Sequence, residues 1–286
     1  MSGAARLREL LERREALVAP GAHDALGARL VQAAGFEACY MTGNGAVASM
    51  LGAPDVGLAS FSEMLDHARR MADAIDLPLI ADADTGYGGS LNIRRTVRAF
   101  ARAGIAAIHI EDQVQPKRCG AMAGVAVVPI GEARARIRAA LDARERDIVI
   151  IARTDAVPAE GLARAIERAN AFGEEGADLV YIEMLGSHQD LTRVGREVGH
   201  PLFYDLLELD SGFVPTVAEL QRHGFKIVVN CLSATRIYAK VVLEMLRQFR
   251  ETGDLAPHLG TEMDLHAYEA LLGLPELLAW QDGRDP

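Results

Sequence analysis

The sequence predicts a closed (β/α)8 barrel of the TIM type, in the α/β class, and three observations carry that prediction. Eight short runs rich in β-branched and apolar residues are each followed by room for a helix along the 286 residues. The joints repeat, with a glycine or a proline closing a helical stretch just before a strand run begins. No GxGxxG fingerprint follows the first run, which disfavours an open dinucleotide-binding sheet. The length suits one barrel, so a single domain over 1–286 is expected.

The strand runs begin with ALVAPG near 16–21, EACYMTG at 37–43, PLIADAD at 78–84 and AAIHIED at 106–112. They continue with DIVIIAR at 147–153, DLVYIE at 178–183, PLFYDL at 201–206 and FKIVVNC at 225–231. Gly35, Gly104, Gly176 and Gly224 introduce the second, fourth, sixth and eighth runs, where a left-handed residue ends the preceding helix. Pro78 and Pro201 do the same before the third and seventh. Amphipathic stretches such as SFSEMLDHARRMADAI and ALDARERD fill the intervals. Hairpin turns between alternating strands are missing, so the strands are expected to be parallel with right-handed crossovers. After about residue 250 one or two extra helices follow. Their run LHAYEALLGLPELLAW is more apolar than a lone surface helix needs, which predicts packing against another subunit.

Forty acidic residues against thirty basic ones give a formal charge of −10 with no dense Lys/Arg run. Nucleic acid is therefore not an expected partner. No apolar run approaches the roughly 18 residues of a membrane span. The first segment, MSGAARLRELLERREALVAPG, carries charges where a secretory signal needs an apolar core. Cys39, Cys119 and Cys231 are too widely spaced for a disulfide framework or a zinc pattern. A soluble cytoplasmic protein is expected, with Cys39 in the core.

In a parallel barrel the site lies at the C-terminal ends of the strands. Those ends read Tyr40 to Gly45, Asp82-Ala83-Asp84, His109 to Asp112, Arg153-Thr154-Asp155, Glu183, Asp205 and Asn230. Strand alternation would aim Asp82 and Asp84 to one side, and Glu111 on the next strand supplies a third carboxylate. Such a set either holds Mg²⁺, with Mn²⁺ as a substitute, or is a turn beside a helix cap. YMTGNG could present a nest of backbone N–H groups to a carboxylate or be an ordinary strand-to-helix loop. The segment 112–129 is long enough for a gating or active-site loop. Within it Cys119 follows Lys117 and Arg118, cations that would lower a thiol's pKa, although a free surface thiol is the alternative. Arg153 could grip a carboxylate, stabilise an oxyanion or form a structural salt bridge.

The combination APGAHDALGARL, YMTGNGAVASMLGAPDVGL, ADADTGYGG, HIEDQVQPKRCG, IIARTD and IE at 182–183 resembles the isocitrate lyase/phosphoenolpyruvate mutase superfamily over nearly the whole chain. The resemblance is closest to its short members, the 2-methylisocitrate lyase and carboxyphosphonoenolpyruvate mutase types. It implies a modified barrel whose last helix is exchanged between paired subunits, in a homotetramer. It implies Asp84 as principal Mg²⁺ ligand, with Asp82 and Glu111 acting mainly through water. Thr42, Gly43 and Asn44 would hold the carboxylate of a pyruvate-like unit, lined by Tyr40 and Asp55. Arg153 would face a forming enolate, and His109, Gly120 and Glu183 match further pocket positions. Cys119 takes the place of the acid that protonates the enolate carbon in the lyases.

That resemblance implies a Mg²⁺-dependent carbon–carbon lyase, or the reverse condensation, on a 2-hydroxy or 2-oxo carboxylic acid through a pyruvate-like enolate. Decarboxylation of an oxaloacetate-like acid and carboxyphosphonoenolpyruvate-type mutase chemistry are the alternatives within the family. A non-catalytic barrel that binds a small acid is the alternative outside it. Three departures bear on the substrate: Ala121 replaces a histidine, Asp205 an asparagine and Cys231 a proline. The first two remove a donor and add a negative charge where the lyases hold a succinate-type fragment. Methylisocitrate is accordingly not the expected substrate.

Overall fold

Alternation along eight parallel strands builds the core and points the site residues inward. The computed structural model describes residues 1–144, 147–207 and 212–283. The chain opens with α1 (Gly3–Leu11), β1 (Leu17–Ala22), α2 (Ala25–Ala33), β2 (Cys39–Met41), α3 (Gly43–Leu51) and α4 (Phe61–Asp73). It continues through β3 (Leu79–Asp82), α5 (Ser90–Arg102), β4 (Ala107–Glu111), α6 (Ile130–Asp142) and β5 (Val149–Thr154). Next come α7 (Ala156–Glu160), α8 (Leu162–Glu174), β6 (Leu179–Ile182), α9 (His188–Glu197) and β7 (Leu202–Asp205). The chain ends with α10 (Val217–Arg222), β8 (Phe225–Asn230), α11 (Ser233–Thr252), a 3₁₀ turn at Ala256–His258, α12 (Leu265–Leu271) and α13 (Leu274–Gln281).

The strands close in sequence order, each parallel to the next and β8 parallel to β1, so the predicted barrel is present. All four predicted helix-ending glycines are left-handed, with φ of 85° at Gly35, 84° at Gly104, 104° at Gly176 and 88° at Gly224. Ser60 and Glu63 form a reciprocal cap at the start of α4, inside the predicted SFSEMLDHARRMADAI stretch. The stretch ALDARERD differs from expectation. Helix α6 ends at Asp142, and residues 145–146 of that stretch lie outside the described residues.

Inward positions of the strands form the barrel's own core: Tyr40, Ile80, Ala107, Val149, Ile151, Leu179, Tyr181, Phe203, Ile227 and Val229, with Leu7 and Leu10 of α1 packed into the same cluster. Outward positions such as Ile108, Ile150 and Val180 pack instead with the surrounding helices. The inward series changes character at the top. Val149 and Ile151 lead to Arg153, Ala107 leads to His109 and Glu111, and Ile80 leads to Asp82. A period of two therefore lifts ionisable groups onto the apolar plug. Burial of that apolar floor, at roughly 25 cal/mol per Å² removed from water, is what holds the charged layer in place.

Helix α11 breaks the pattern. None of its twenty residues is buried, and Ile237, Tyr238, Val241, Leu243, Leu246 and Phe249 are exposed. The predicted extra helices α12 and α13 also bury no residue, and Leu277 and Trp280 are 63% and 80% exposed. Among the described residues no helix is long and apolar enough to cross a membrane.

Candidate active site

The site grows from strand register. Asp82 lies beside His109 across β3 and β4, Glu111 beside Arg153 across β4 and β5, and Arg153 beside Tyr181 across β5 and β6. The resulting pocket is lined by Tyr40, Thr42, Gly43, Asn44, Asp55, Asp82, Cys119, Gly120, Arg153, Glu183 and Asp205. Lys117, Leu207, Cys231 and Leu232 complete much of its wall. Asp84, His109 and Glu111 sit behind that surface, all buried, and reach it through Lys117, Tyr40 and Arg153.

Local structure places each group. Asp84 lies beyond the end of β3 in left-handed backbone at φ 47°, so turn geometry rather than strand alternation directs it. Its amide donates to Asp82 Oδ1 at 2.9 Å. YMTGNG is not a loop, because Thr42 caps α3 and Gly43, Asn44 and Gly45 form the helix's first turn. The Gly45 amide is taken up by Thr42 Oγ1, and the first turn of α3, with the positive end of the helix dipole, opens on the pocket at Thr42, Gly43 and Asn44. A Cβ on Gly43 would collide with the Asp82 carboxylate, so only glycine fits this approach. Gly120 is equally confined, since a Cβ there would lie 2.6 Å from Glu183 Cγ and 2.8 Å from Arg153 Nη2.

Two cations organise the carboxylates. Lys117, a buried lysine, places its ammonium 2.7 Å from Asp55 Oδ1 and 2.5 Å from Asp84 Oδ1. Burial opposes its charge, but Asp84, Glu111, Asp82 and Asp55 together hold it protonated far above the ordinary range. Arg153 grips Asp155 with both Nε (2.9 Å) and Nη2 (2.8 Å), and also lies 3.4 Å from Glu111 and 3.5 Å from Glu183. Salt bridge and pocket-facing cation are thus one residue. Its guanidinium carbon stands 5.0 Å from the centre of the Tyr181 ring.

The acids divide by environment. Burial raises Asp84 to about 6, helped by Asp82 and Asp55 and resisted by Lys117. Burial and Asp155 push Glu111 well above the usual carboxylate range. Burial acts on Asp82 too, yet His109, Lys117 and Arg153 hold it below that range. Burial lowers His109 to about 4, so its imidazole is neutral near pH 7. Its Nε2 is 2.7 Å from the Tyr40 hydroxyl and its Nδ1 is 3.6 Å from Asp82 Oδ1. Burial also holds the Tyr40 phenol well above its ordinary value, so it stays protonated.

Cys119 corrects a sequence expectation. Lys117 reaches Asp55 and Asp84, and the Arg118 guanidinium reaches the Ala123 carbonyl. Burial, with Glu183 and Asp55, therefore raises the thiol's pKa instead of lowering it. The resting form is a thiol. Asp205 is also changed from expectation, being pushed up to about 7 by burial and by Glu183. Cys231 donates its amide to Asp205 Oδ1 at 3.1 Å, which partly offsets that rise. Asn230, at the end of β8, bonds the Leu206 carbonyl and does not line the pocket.

The carboxylate cluster suits a hard divalent cation bound mainly through water. Among the described residues no three His, Cys, Asp or Glu side chains are grouped to wrap a metal directly. Yet Glu111 Oε1 is buried without a hydrogen bond among those residues, and Asp84 Oδ1 has only its ion-pair contact with Lys117. Lys117 serves Asp55 and Asp84 while Arg153 is shared among Glu111, Asp155 and Glu183, so carboxylates outnumber cations and negative charge is left to be met. Mg²⁺ keeps several of its waters and needs few direct protein ligands, so such a cluster suits it.

Residues 7–250 match the family model described as phosphoenolpyruvate phosphomutase. The chain belongs to the phosphoenolpyruvate mutase/isocitrate lyase superfamily. This superfamily member is 38% identical to 2,3-dimethylmalate lyase of Eubacterium barkeri over 280 residues, covering 97% of this chain and 96% of the other. It matches the structure of oxaloacetate acetylhydrolase in complex with the inhibitor 3,3-difluorooxalacetate with a TM-score of 0.93 and 37% identity, over 99% and 97% of the two chains. A phosphonopyruvate hydrolase complex with oxalate and Mg²⁺ matches at a TM-score of 0.88 and 28% identity, over 98% of each chain.

By sequence, Lys117 is only a neighbour of Cys119, and Asp155 has no role as the buried partner of Arg153. Burial of Lys117 depends on how the 112–129 loop folds back: Cys119 N donates to Asp55 O, and Gln113 bonds both backbone groups of Arg118. The spacing Arg153-Thr154-Asp155 was the available signal for Asp155, since alternation sets both charged residues on one side of the strand end.

Proposed function

We propose that this superfamily member is a Mg²⁺-dependent carbon–carbon lyase acting on a 2-hydroxy or 2-oxo carboxylic acid through an enolate. The supporting observation is one pocket in which the start of α3, Arg153 and the half-buried Cys119 thiol surround Asp82, with Asp84 and Glu111 buried just behind it. In cleavage of a 2-hydroxy acid, the hydroxyl loses its proton and becomes the oxo group of a pyruvate-like product. The electron pair of the broken bond leaves with the other fragment as an enolate, which takes up one proton at carbon. From a 2-oxo acid that loses a carboxyl group, the enolate is that of pyruvate itself.

The residues divide this work. Thr42, Gly43 and Asn44 hold the substrate carboxylate at the start of α3. Asp84 would ligate Mg²⁺, or Mn²⁺ in its place, with Asp82 and Glu111 acting through water. The ion, when bound, polarises the substrate oxygen and lowers the cost of its negative charge. Tyr40 accepts the hydroxyl proton as its own passes to His109 Nε2, and Asp82 offsets the charge gained there. Asp55 keeps Lys117 in place. Arg153 stabilises the developing oxyanion, and Cys119 protonates the departing carbon. A thiol whose pKa is raised keeps that proton until a carbanion-like centre claims it. Glu183 and Asp205 form the wall against the departing fragment.

Cys119→Ser tests the donor. It should lower kcat by about a hundredfold or more, within the usual range for general acid catalysis, while oxalate binding stays within threefold of wild type. Near-normal turnover would remove Cys119 from the chemistry and favour the decarboxylase or mutase alternatives.

Asp205 tests the substrate class. Below its value of about 7 the carboxyl is neutral and donates a hydrogen bond, while above it the anion repels a departing carboxylate. For methylisocitrate or isocitrate, kcat/KM should therefore fall as pH rises through about 7, and Asp205→Asn should flatten that limb. At pH 8 these acids should trail a 2-hydroxy acid with a smaller or uncharged departing fragment by roughly ten- to a hundredfold, the effect of one charge-assisted contact. Equal values, measured side by side, would refute the assignment.

The assembly belongs to the same reading. We infer a homotetramer of helix-exchanged pairs, supported by the exposed apolar side chains of α11, α12 and α13. Light scattering giving a monomer would contradict it. Three free thiols accord with a reducing cytoplasm.

A further inference from the structure

Tyr87 carries the most unusual polar group near the site, a hydroxyl that the roles above leave unused. The loop after β3 runs through left-handed backbone at Asp84 (φ 47°), Gly86 (φ 81°) and Tyr87 (φ 61°). Such a φ is a rare and strained choice for a bulky residue. Its ring meets Phe61 edge-on, with centroids 5.7 Å apart and planes at 70°. Tyr87 lines a second cleft with Asp84 and Gln115, and this cleft meets the substrate pocket at Lys117.

The phenol oxygen is buried and has no hydrogen-bond partner among the described residues. A phenylalanine would pack there without that penalty. Glu111 Oε1 is in the same condition. Burial, then the charges of Asp84, Asp82, Glu111 and Asp55, hold the phenol far above its ordinary pKa, so the hydroxyl keeps its proton. A buried polar atom of this kind is normally matched by ordered water.

We propose that Tyr87 is a positioning residue of the cation site, its hydroxyl hydrogen-bonding a water that serves Asp84 and Glu111 in the hydration sphere of the ion. The inference rests on the reading of that cluster as a Mg²⁺ site. Water held by a divalent cation is a strong donor, and an unpartnered phenol oxygen in the same cleft as Asp84 can accept from it. The strain of residues 84–87 then has a purpose, because one short loop delivers both a ligand and an acceptor for the ligand's water.

The test is Mn²⁺ binding to the metal-stripped full chain by electron paramagnetic resonance, with Mg²⁺ competition, in wild type, Tyr87→Phe and Asp84→Asn. Thermal melts with and without metal accompany it. Tyr87→Phe should weaken Kd three- to tenfold, keep or raise the metal-free Tm and shrink the rise in Tm that metal produces. An unchanged Kd would overturn the inference while leaving the metal site standing. A weaker Kd accompanied by a clearly lower metal-free Tm would make Tyr87 a packing residue and also overturn it. Absence of binding to wild type would overturn the underlying metal reading, and the inference with it.

Discussion

Asp84→Asn is expected to lower kcat at least about a thousandfold, the scale seen when a main source of electrostatic stabilisation is removed, with Tm within a few degrees of wild type. The side chain stands beyond the strand end and contributes to none of the apolar clusters. Its loss leaves Lys117 with Asp55 2.7 Å away, so no cation is stranded. Repulsion from Asp82 and Asp55 is relieved at the same time. Stability and activity should therefore part company. Full turnover of this variant in chelator-treated buffer would end the metal assignment, whereas a collapse in Tm would make Asp84 a structural residue.

Arg153→Ala should fail in both respects. The guanidinium holds Asp155 through two hydrogen bonds and lies within 3.5 Å of Glu111 and Glu183, all buried. Removing one partner of a buried ion pair costs about 3–5 kcal/mol, because the remaining charges lose their counterion. Activity should fall below detection, since the same group faces the pocket. Arg153→Lys separates the two effects. A lysine keeps the charge but loses the planar fork that reaches Asp155 and the pocket together. Most of the stability should return and little of the turnover. Denaturant melts with matched kinetics would show it, and a lysine variant with at least a tenth of wild-type kcat would contradict the oxyanion role.

Much of this arrangement was legible because it obeys a period of two. Ala107, His109 and Glu111 on one strand, and Val149, Ile151 and Arg153 on the next, can be assigned to the barrel interior by counting. Gly104 and Gly176 mark the joints because no other residue takes their φ without strain. The start of α3 was less clear. Its sequence GNGAVASML is built from small residues, which give a helix no apolar stripe to read. A capping Thr42 was the signal, and it resembles any threonine in a loop.

Electrostatic environment was the least legible part. Lys117, Arg118 and Cys119 are consecutive, yet the lysine turns to Asp55 and Asp84, the arginine reaches the Ala123 carbonyl, and the thiol is left to burial and the charge of Glu183. Adjacency in sequence therefore suggested a lowered pKa where burial produces a raised one. Asp205 shows the same lesson in the opposite sense. As a letter it reads as a fixed negative charge, but burial and the charge of Glu183 push its pKa up to about 7. The expectation of simple repulsion against a departing carboxylate becomes a pH-dependent one.

The central claim is that a 2-hydroxy or 2-oxo acid is cleaved through an enolate that Cys119 protonates. It is tested most directly by proton NMR of the products formed in D₂O from 2-hydroxy acids such as 2,3-dimethylmalate, with Mg²⁺ present. The account predicts a pyruvate-like acid and an equimolar second fragment carrying one solvent deuterium at the carbon released, with both signals lost in Asp84→Asn. Cleavage that leaves that carbon free of deuterium would contradict it, as would failure to cleave any 2-hydroxy or 2-oxo acid at millimolar concentration while oxalate binds.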